Sequence, residues 1–130
     1  MADAMPQLDR RVARIIYRAA TESPVIRHIV FFTAKDPAQL DAIVEGLELL
    51  GTIPHSSHFE VTRNSKVDQI GNDVDVVVYA EFADAAALAA YKAHPIYAEA
   101  TRRVRPLREL RFAADVTVSE AKVALVRRSA

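Results

Sequence analysis

The side chains equipped for acid/base work in this sequence are imidazoles and phenols: four histidines and four tyrosines, alongside no cysteine and no tryptophan. His28, Tyr91, His94 and Tyr97 are the catalytic candidates. An imidazole titrates near neutral pH and can carry a proton in either direction. A phenol can donate a hydrogen bond to an oxyanion as it develops. Arg111 adds a planar guanidinium fork that matches a carboxylate or an enolate. The missing cysteines exclude thiol nucleophiles, disulfides and thiolate zinc sites. His55 and His58 stand three apart with no third ligand in view, so no metal is assigned. Three glycines form neither a dinucleotide fingerprint nor a phosphate loop, and no cofactor is expected.

Each candidate also has a purely structural reading. His94 precedes Pro95, and such a corner lets an imidazole bond a free backbone group. His28 on a central strand reads equally as a satisfied core histidine. Tyr91 stands at helical spacing from Leu88, and with Tyr97 it reads as packing with a wet hydroxyl. Arg111 has Glu109 and Asp115 nearby as partners on or beside its strand. Arg102, Arg103, Arg105 and Arg108 form a basic run, but Glu99 and Glu109 are interleaved, which reads as a solvated helix face.

These side chains need elements to hold them. The run from Val25 to Phe32 is β-rich and too short for a capped helix, so it is strand 1. Alternation sets His28, Val30 and Phe32 on one of its faces. Asp36-Pro37 supplies an N-cap and a first-turn proline, with Gln39 as a capping-box partner. Leu40, Ile43, Val44, Leu47 and Leu50 follow on one helical face, and Gly51 is expected to end that helix in the left-handed conformation. Phe59 and Val61 alternate along strand 2, and Gly71-Asn72 marks a hairpin-like connection. Strand 3, Val74 to Phe82, carries Val76, Val78, Ala80 and Phe82 on one side and Val77 and Tyr79 on the other, which places it centrally. Asp84 caps an alanine-rich helix to Ala93. His94-Pro95 breaks it and starts a second helix, in which Glu99 is set to pair with Arg102 and Arg103. Leu110 to Val118 is strand 4, on which Arg111, Ala113 and Asp115 alternate.

The order β-α-β-β-α-α-β predicts an α+β fold of the ferredoxin-like kind: a four-stranded antiparallel sheet with helices on one face. The opposite face keeps apolar groups that only the N-terminal segment or a second copy of the chain can cover, hence a homodimer. Residues 1–24 read as a basic amphipathic helical extension, 25–118 as the domain and 119–130 as a tail. The balance of 17 basic against 17 acidic residues argues against nucleic acid as a partner. No apolar run reaches membrane-span length and no secretory h-region stands at the N-terminus, so the expected setting is the cytoplasm.

Arg27-His28-Ile29-Val30-Phe31-Phe32, Ala80-Glu81-Phe82, Tyr91-Lys92-Ala93-His94-Pro95, Arg105-Pro106-Leu107 and the Arg111–Asp115 strand resemble, in order and spacing, the stress-responsive dimeric α/β-barrel (Dabb) family. The resemblance spans about Val25 to Val118 and implies two sheets closing into a barrel, with a pocket in each subunit between sheet and helices. It implies that His28, Val30, Phe32, Val76, Val78 and Arg111 face that pocket. A polyketide cyclase of the family runs an aldol condensation with a tyrosine and a histidine and no cofactor. Its tyrosine corresponds to Tyr91, while the place of its catalytic histidine is held by Tyr97; His94 matches only the first histidine of its H-P-x-H motif. Two functions are therefore expected: cofactor-independent cyclase, isomerase or lyase-like chemistry on a small carbonyl compound, or a non-catalytic stress-responsive dimer that binds a small apolar or anionic ligand or stabilises other proteins. A weaker third is an oxygenase of the related antibiotic-biosynthesis barrels; the missing tryptophan speaks against the haem-degrading relatives.

Overall fold

β-branched and aromatic residues at alternating positions build a four-stranded antiparallel sheet in the computed structural model, which describes residues 25–124 together with Arg10 and Arg11. Its strands are β1 (Ile26–Ala34), β2 (His58–Arg63), β3 (Val76–Phe82) and β4 (Arg108–Thr117), in the order β2-β3-β1-β4. Three helices, α1 (Leu40–Glu48), α2 (Ala85–Ala93) and α3 (Pro95–Val104), pack on one face of the sheet. This is the expected ferredoxin-like arrangement, with the two most apolar strands in the centre. Among the described residues no helix is long and apolar enough to cross a membrane. The extension expected at residues 1–24 lies outside the described residues, apart from Arg10 and Arg11, which are helical.

Alternation decides which side chains enter the core. His28, Val30 and Phe32 of β1 and Val76, Val78, Ala80 and Phe82 of β3 are all buried on the helix side. Ile43 and Leu47 of α1, Tyr91 of α2 and Ala100 and Val104 of α3 meet them. Gly46 lets α1 and α3 approach: a methyl group added there would stand 2.7 Å from Val104 Cγ2. Asp84 caps α2 as expected, accepting the Ala87 N–H at 2.8 Å.

Two local expectations change. Asp36 does accept a backbone N–H, from Ala38, but the turn it starts is a 3₁₀ turn over Pro37–Gln39; α1 begins at Leu40 and Gln39 makes no capping-box bond. Gly51 does not adopt a left-handed conformation and sits in a second 3₁₀ turn, Leu49–Thr52. What it provides is space: a Cβ there would stand 2.9 Å from the Phe59 ring. The β2–β3 connection is the expected hairpin, with one positive φ, 57° at Lys66. Asn64 and Asp75 close this connection backbone to backbone, and the Asp75 carboxylate accepts the Ala34 N–H at 2.8 Å and the Lys66 ammonium at 2.7 Å.

The outer face of the sheet is bare among the described residues. Ile29 and Phe31 of β1, Val77 of β3 and Leu110 and Phe112 of β4 lie there, with Leu110 48% and Phe112 58% exposed. At one end the face turns polar, where the Tyr79 hydroxyl donates to Glu81 at 2.6 Å and His58 Nε2 stands 2.7 Å from Glu60.

Candidate active site

Between the inner face of the sheet and helices α1 and α3 lies a cavity of about 190 Å³. A space near 150 Å³ accepts benzene, so the cavity suits a single ring or a short branched chain. Val30, Phe32, Leu47, Leu50, Val78, Ala100 and Val104 form its apolar walls; His28, Tyr91 and Tyr97 supply polar atoms, and Thr101, Arg105, Arg108 and Arg111 complete the lining.

His28 is only 2% exposed, and its Nδ1 stands 2.6 Å from Asp115 Oδ1. The β1–β4 register sets the two directly opposite each other on the same face. A carboxylate oxygen accepts, so the shared proton sits on Nδ1 and the Nε2 lone pair is left free. Burial lowers the His28 pKa below its ordinary 6.5, and the hydrogen bond and charge of Asp115 offset part of that fall. The imidazole is thus neutral at neutral pH, held in one tautomer by a carboxylate, as a general base requires.

Tyr91 is 1% exposed, and its ring packs edge-on against Phe82 at 4.9 Å, Tyr97 at 5.4 Å and His28 at 6.2 Å. Burial pushes its phenol well above the ordinary range, so the group stays protonated and acts as a donor. Among the described residues neither Tyr91 Oη nor His28 Nε2 has a hydrogen-bond partner in the protein, and both residues line the cavity. Both atoms are therefore available to a ligand in the cavity.

The structure thus brings together His28, Val30, Phe32, Val78, Tyr91, Tyr97 and Arg111 and leaves two candidates outside. Val76 is fully buried in the core and does not reach the cavity. His94 forms the corner between α2 and α3, where its Nδ1 accepts the Ile96 N–H at 3.1 Å. Its ring packs edge-on against that of His55 at 6.1 Å, and His94 is not among the residues lining the cavity. Backbone capping has claimed this imidazole. His58, the first residue of β2, turns to Glu60 on the outer face, whereas His55 lies beside His94, so the two have separate surroundings.

Asp115 and two of the arginines carry more than the sequence reading assigned them. Asp115 was placed on the correct face of its strand but as a partner for Arg111; it bonds His28 instead, and Arg111 has no ion pair among the described residues. The basic run divides in two. Arg102 and Arg103 both bond Glu99, as expected, and draw its carboxyl down to about 2. Arg105 and Arg108 leave that solvated face and join Arg111 at the cavity.

Comparison with solved structures places this fold beside several others. A Dabb family protein with a ferredoxin-like fold from Mesorhizobium loti is 29% identical, with a TM-score of 0.63 over 73% of this chain and 97% of its own. A dimeric ferredoxin-like protein of unknown function from Thermobifida fusca is 23% identical, with a TM-score of 0.64 over 74% and 92%. The hydroxynitrile lyase of Passiflora edulis is 19% identical, with a TM-score of 0.65 over 77% and 98%. No curated protein matches the chain. The model of the Dabb family, Stress Responsive A/B Barrel Domain, matches residues 26–118, and on that match the chain belongs to this family.

Proposed function

We propose that the chain is a homodimeric enzyme performing cofactor-independent acid/base chemistry on a small carbonyl compound, as a cyclase, isomerase or lyase. The observation that carries this is the Asp115–His28 pair at a cavity that also presents the Tyr91 hydroxyl. In the step common to such reactions, His28 Nε2 takes the proton from the carbon beside the carbonyl, the C–H electron pair forms the enolate, and its oxygen accepts a hydrogen bond from Tyr91. Asp115 stabilises the imidazolium formed, and the proton then returns to carbon or passes to the leaving group. The neutral base needs no metal or organic cofactor for this step. That the fold also serves the Passiflora edulis hydroxynitrile lyase places an enzyme on the same scaffold. Of the non-catalytic alternative, a purely protein-stabilising dimer calls for a filled or closed pocket, and the open cavity counts against it; a ligand-binding dimer is separated from the enzyme by the exchange test below.

The homodimer rests on the bare outer face and on the dimeric assembly of the Thermobifida fusca relative.

The chemistry is tested without knowing the substrate by following deuterium uptake beside the carbonyl in a panel of small ketones, aldehydes and 2-oxo acids by proton NMR. At least one should exchange faster with the protein, and His28→Gln and Tyr91→Phe should each slow that exchange by about 10² or more while remaining folded. Exchange that persists unchanged in both variants would sink the assignment.

A further inference from the structure

β4 does not run evenly beside β1. Phe32 pairs with Arg111, but two residues further along β1 Ala34 pairs with Arg108, so three steps on β4 match two on β1. This is a β-bulge, a device that redirects a side chain. An even ladder would set Glu109 opposite Ala34 and give the cavity face a carboxylate. The bulge moves Glu109 off that register and puts Arg108 there, on the same face as Arg111. The irregular backbone is satisfied locally, because the Leu110 N–H donates to Thr33 Oγ1 at 2.9 Å. Arg105, from the end of α3, reaches the same cavity.

Three arginines therefore line one cavity, Arg108 half-buried and Arg105 and Arg111 exposed to solvent at it, and among the described residues none has a carboxylate partner. The other two arginines of the same run are both matched by Glu99. Like charges gathered without counter-charge cost free energy, and a bound anion relieves it. Desolvation, and then the charges of Arg111 and Arg105, make Arg108 less willing to hold its proton.

We infer that Arg105, Arg108 and Arg111 form an anion site at the cavity, and that the molecule's ligand is a small organic acid with its carboxylate on these arginines and its apolar carbonyl-bearing body against His28 and Tyr91. This deepens the proposed reaction by naming its substrate class, but the site is read by binding and stands or falls independently of turnover.

Calorimetric titration of the full chain with matched pairs tests it: short branched or single-ring monocarboxylates against their primary amides, with inorganic phosphate as a third probe. The acid should bind at least about 10-fold more tightly than its amide, and added salt should weaken only the acid. Arg108→Gln with Arg111→Gln should abolish that preference, Arg108→Lys should restore part of it relative to Arg108→Gln, and Arg103→Gln should leave it intact. His28→Gln should retain the preference even though it slows proton exchange, which separates failure of the site from failure of the chemistry. Equal binding of acid and amide would overturn the inference, as would phosphate binding as tightly as the best carboxylate. If the arginines only complement the C-terminal end of α3, the double variant loses stability and keeps its ligand preference, which also overturns it.

Discussion

At the residue scale, the site turns on what Asp115 does to His28. Burial alone disfavours the charged imidazole, and Asp115 is the group that offsets it. In Asp115→Asn the offset is lost, so the His28 pKa should fall further and the acid limb of the exchange rate should move to lower pH. The rate itself should drop by about 10² or more, because the imidazolium formed in the reaction loses its counter-charge. Titrating the His28 ring by NMR in both proteins checks this; an unmoved pKa would mean the 2.6 Å contact does not tune the base. The same depressed pKa has a consequence for stability. Between the folded value and 6.5 the unfolded chain binds the proton that the folded chain refuses, so stability rises with pH across that window. Below the folded value both states are protonated and this contribution is gone. Denaturant unfolding from pH 4 to 8 should show that slope in the wild type and a smaller one in His28→Gln.

At the element scale, the cavity exists because α1 and α3 are held at a set distance over the sheet. Leu47 and Val104 are cavity walls, and Gly46 is where their helices meet. A helix normally gains about 1 kcal/mol when an interior glycine becomes alanine. At Gly46 the added methyl would stand 2.7 Å from Val104 Cγ2, and overpacking of this kind costs about 1–3 kcal/mol. Gly46→Ala should therefore be net destabilising by ~1 kcal/mol, with measurably weaker ligand binding, since α3 is pushed away from its place. A stabilised variant with unchanged binding would show that the helices yield at this contact.

Much of the element scale was legible in the sequence. The period-2 pattern of β1 and β3 and the Asp84 cap read correctly because each depends on neighbours a few residues away. Gly51 was misread for the opposite reason: its neighbour is Phe59, across a turn, and no local pattern announces that contact. His94 was read with both its roles open. The Ile96 N–H two residues on decided for the corner.

At the scale of the whole molecule, the bare outer face is the surface that the proposed homodimer would bury. Ile29, Phe31, Val77, Leu110 and Phe112 form an apolar patch on a sheet whose other side is covered by helices over its central strands β1 and β3. Two copies packed through this face would each bury on the order of 800 Å², the scale of a stable interface. Sedimentation equilibrium should find a dimer at micromolar concentration. Phe112→Asp places a carboxylate in that contact and should give monomers of lower thermal stability. A wild-type monomer, or a Phe112→Asp dimer of unchanged affinity, would contradict the assignment. Because Arg111 and Asp115 lie on β4 but face inward, the monomeric variant also tells whether the cavity depends on the partner.

The sequence by itself determined the elements, their order, the faces of the central strands and the family. These follow from short-range rules, in which side-chain periodicity, caps and prolines act within a turn or two of chain. It also named His28, Tyr91, Tyr97 and Arg111. Only the tertiary structure decided that Asp115 belongs to His28, that Arg105 and Arg108 leave their solvated run for the cavity, and that His94 and Val76 stay out of it. The Asp115–His28 contact joins residues 87 positions apart. The Arg108 placement turns on one bulged step in the β1–β4 ladder. Register between distant strands is set by the packing of the whole sheet, and a one-residue shift exchanges a carboxylate for a guanidinium, so no local reading of the chain could have chosen between them.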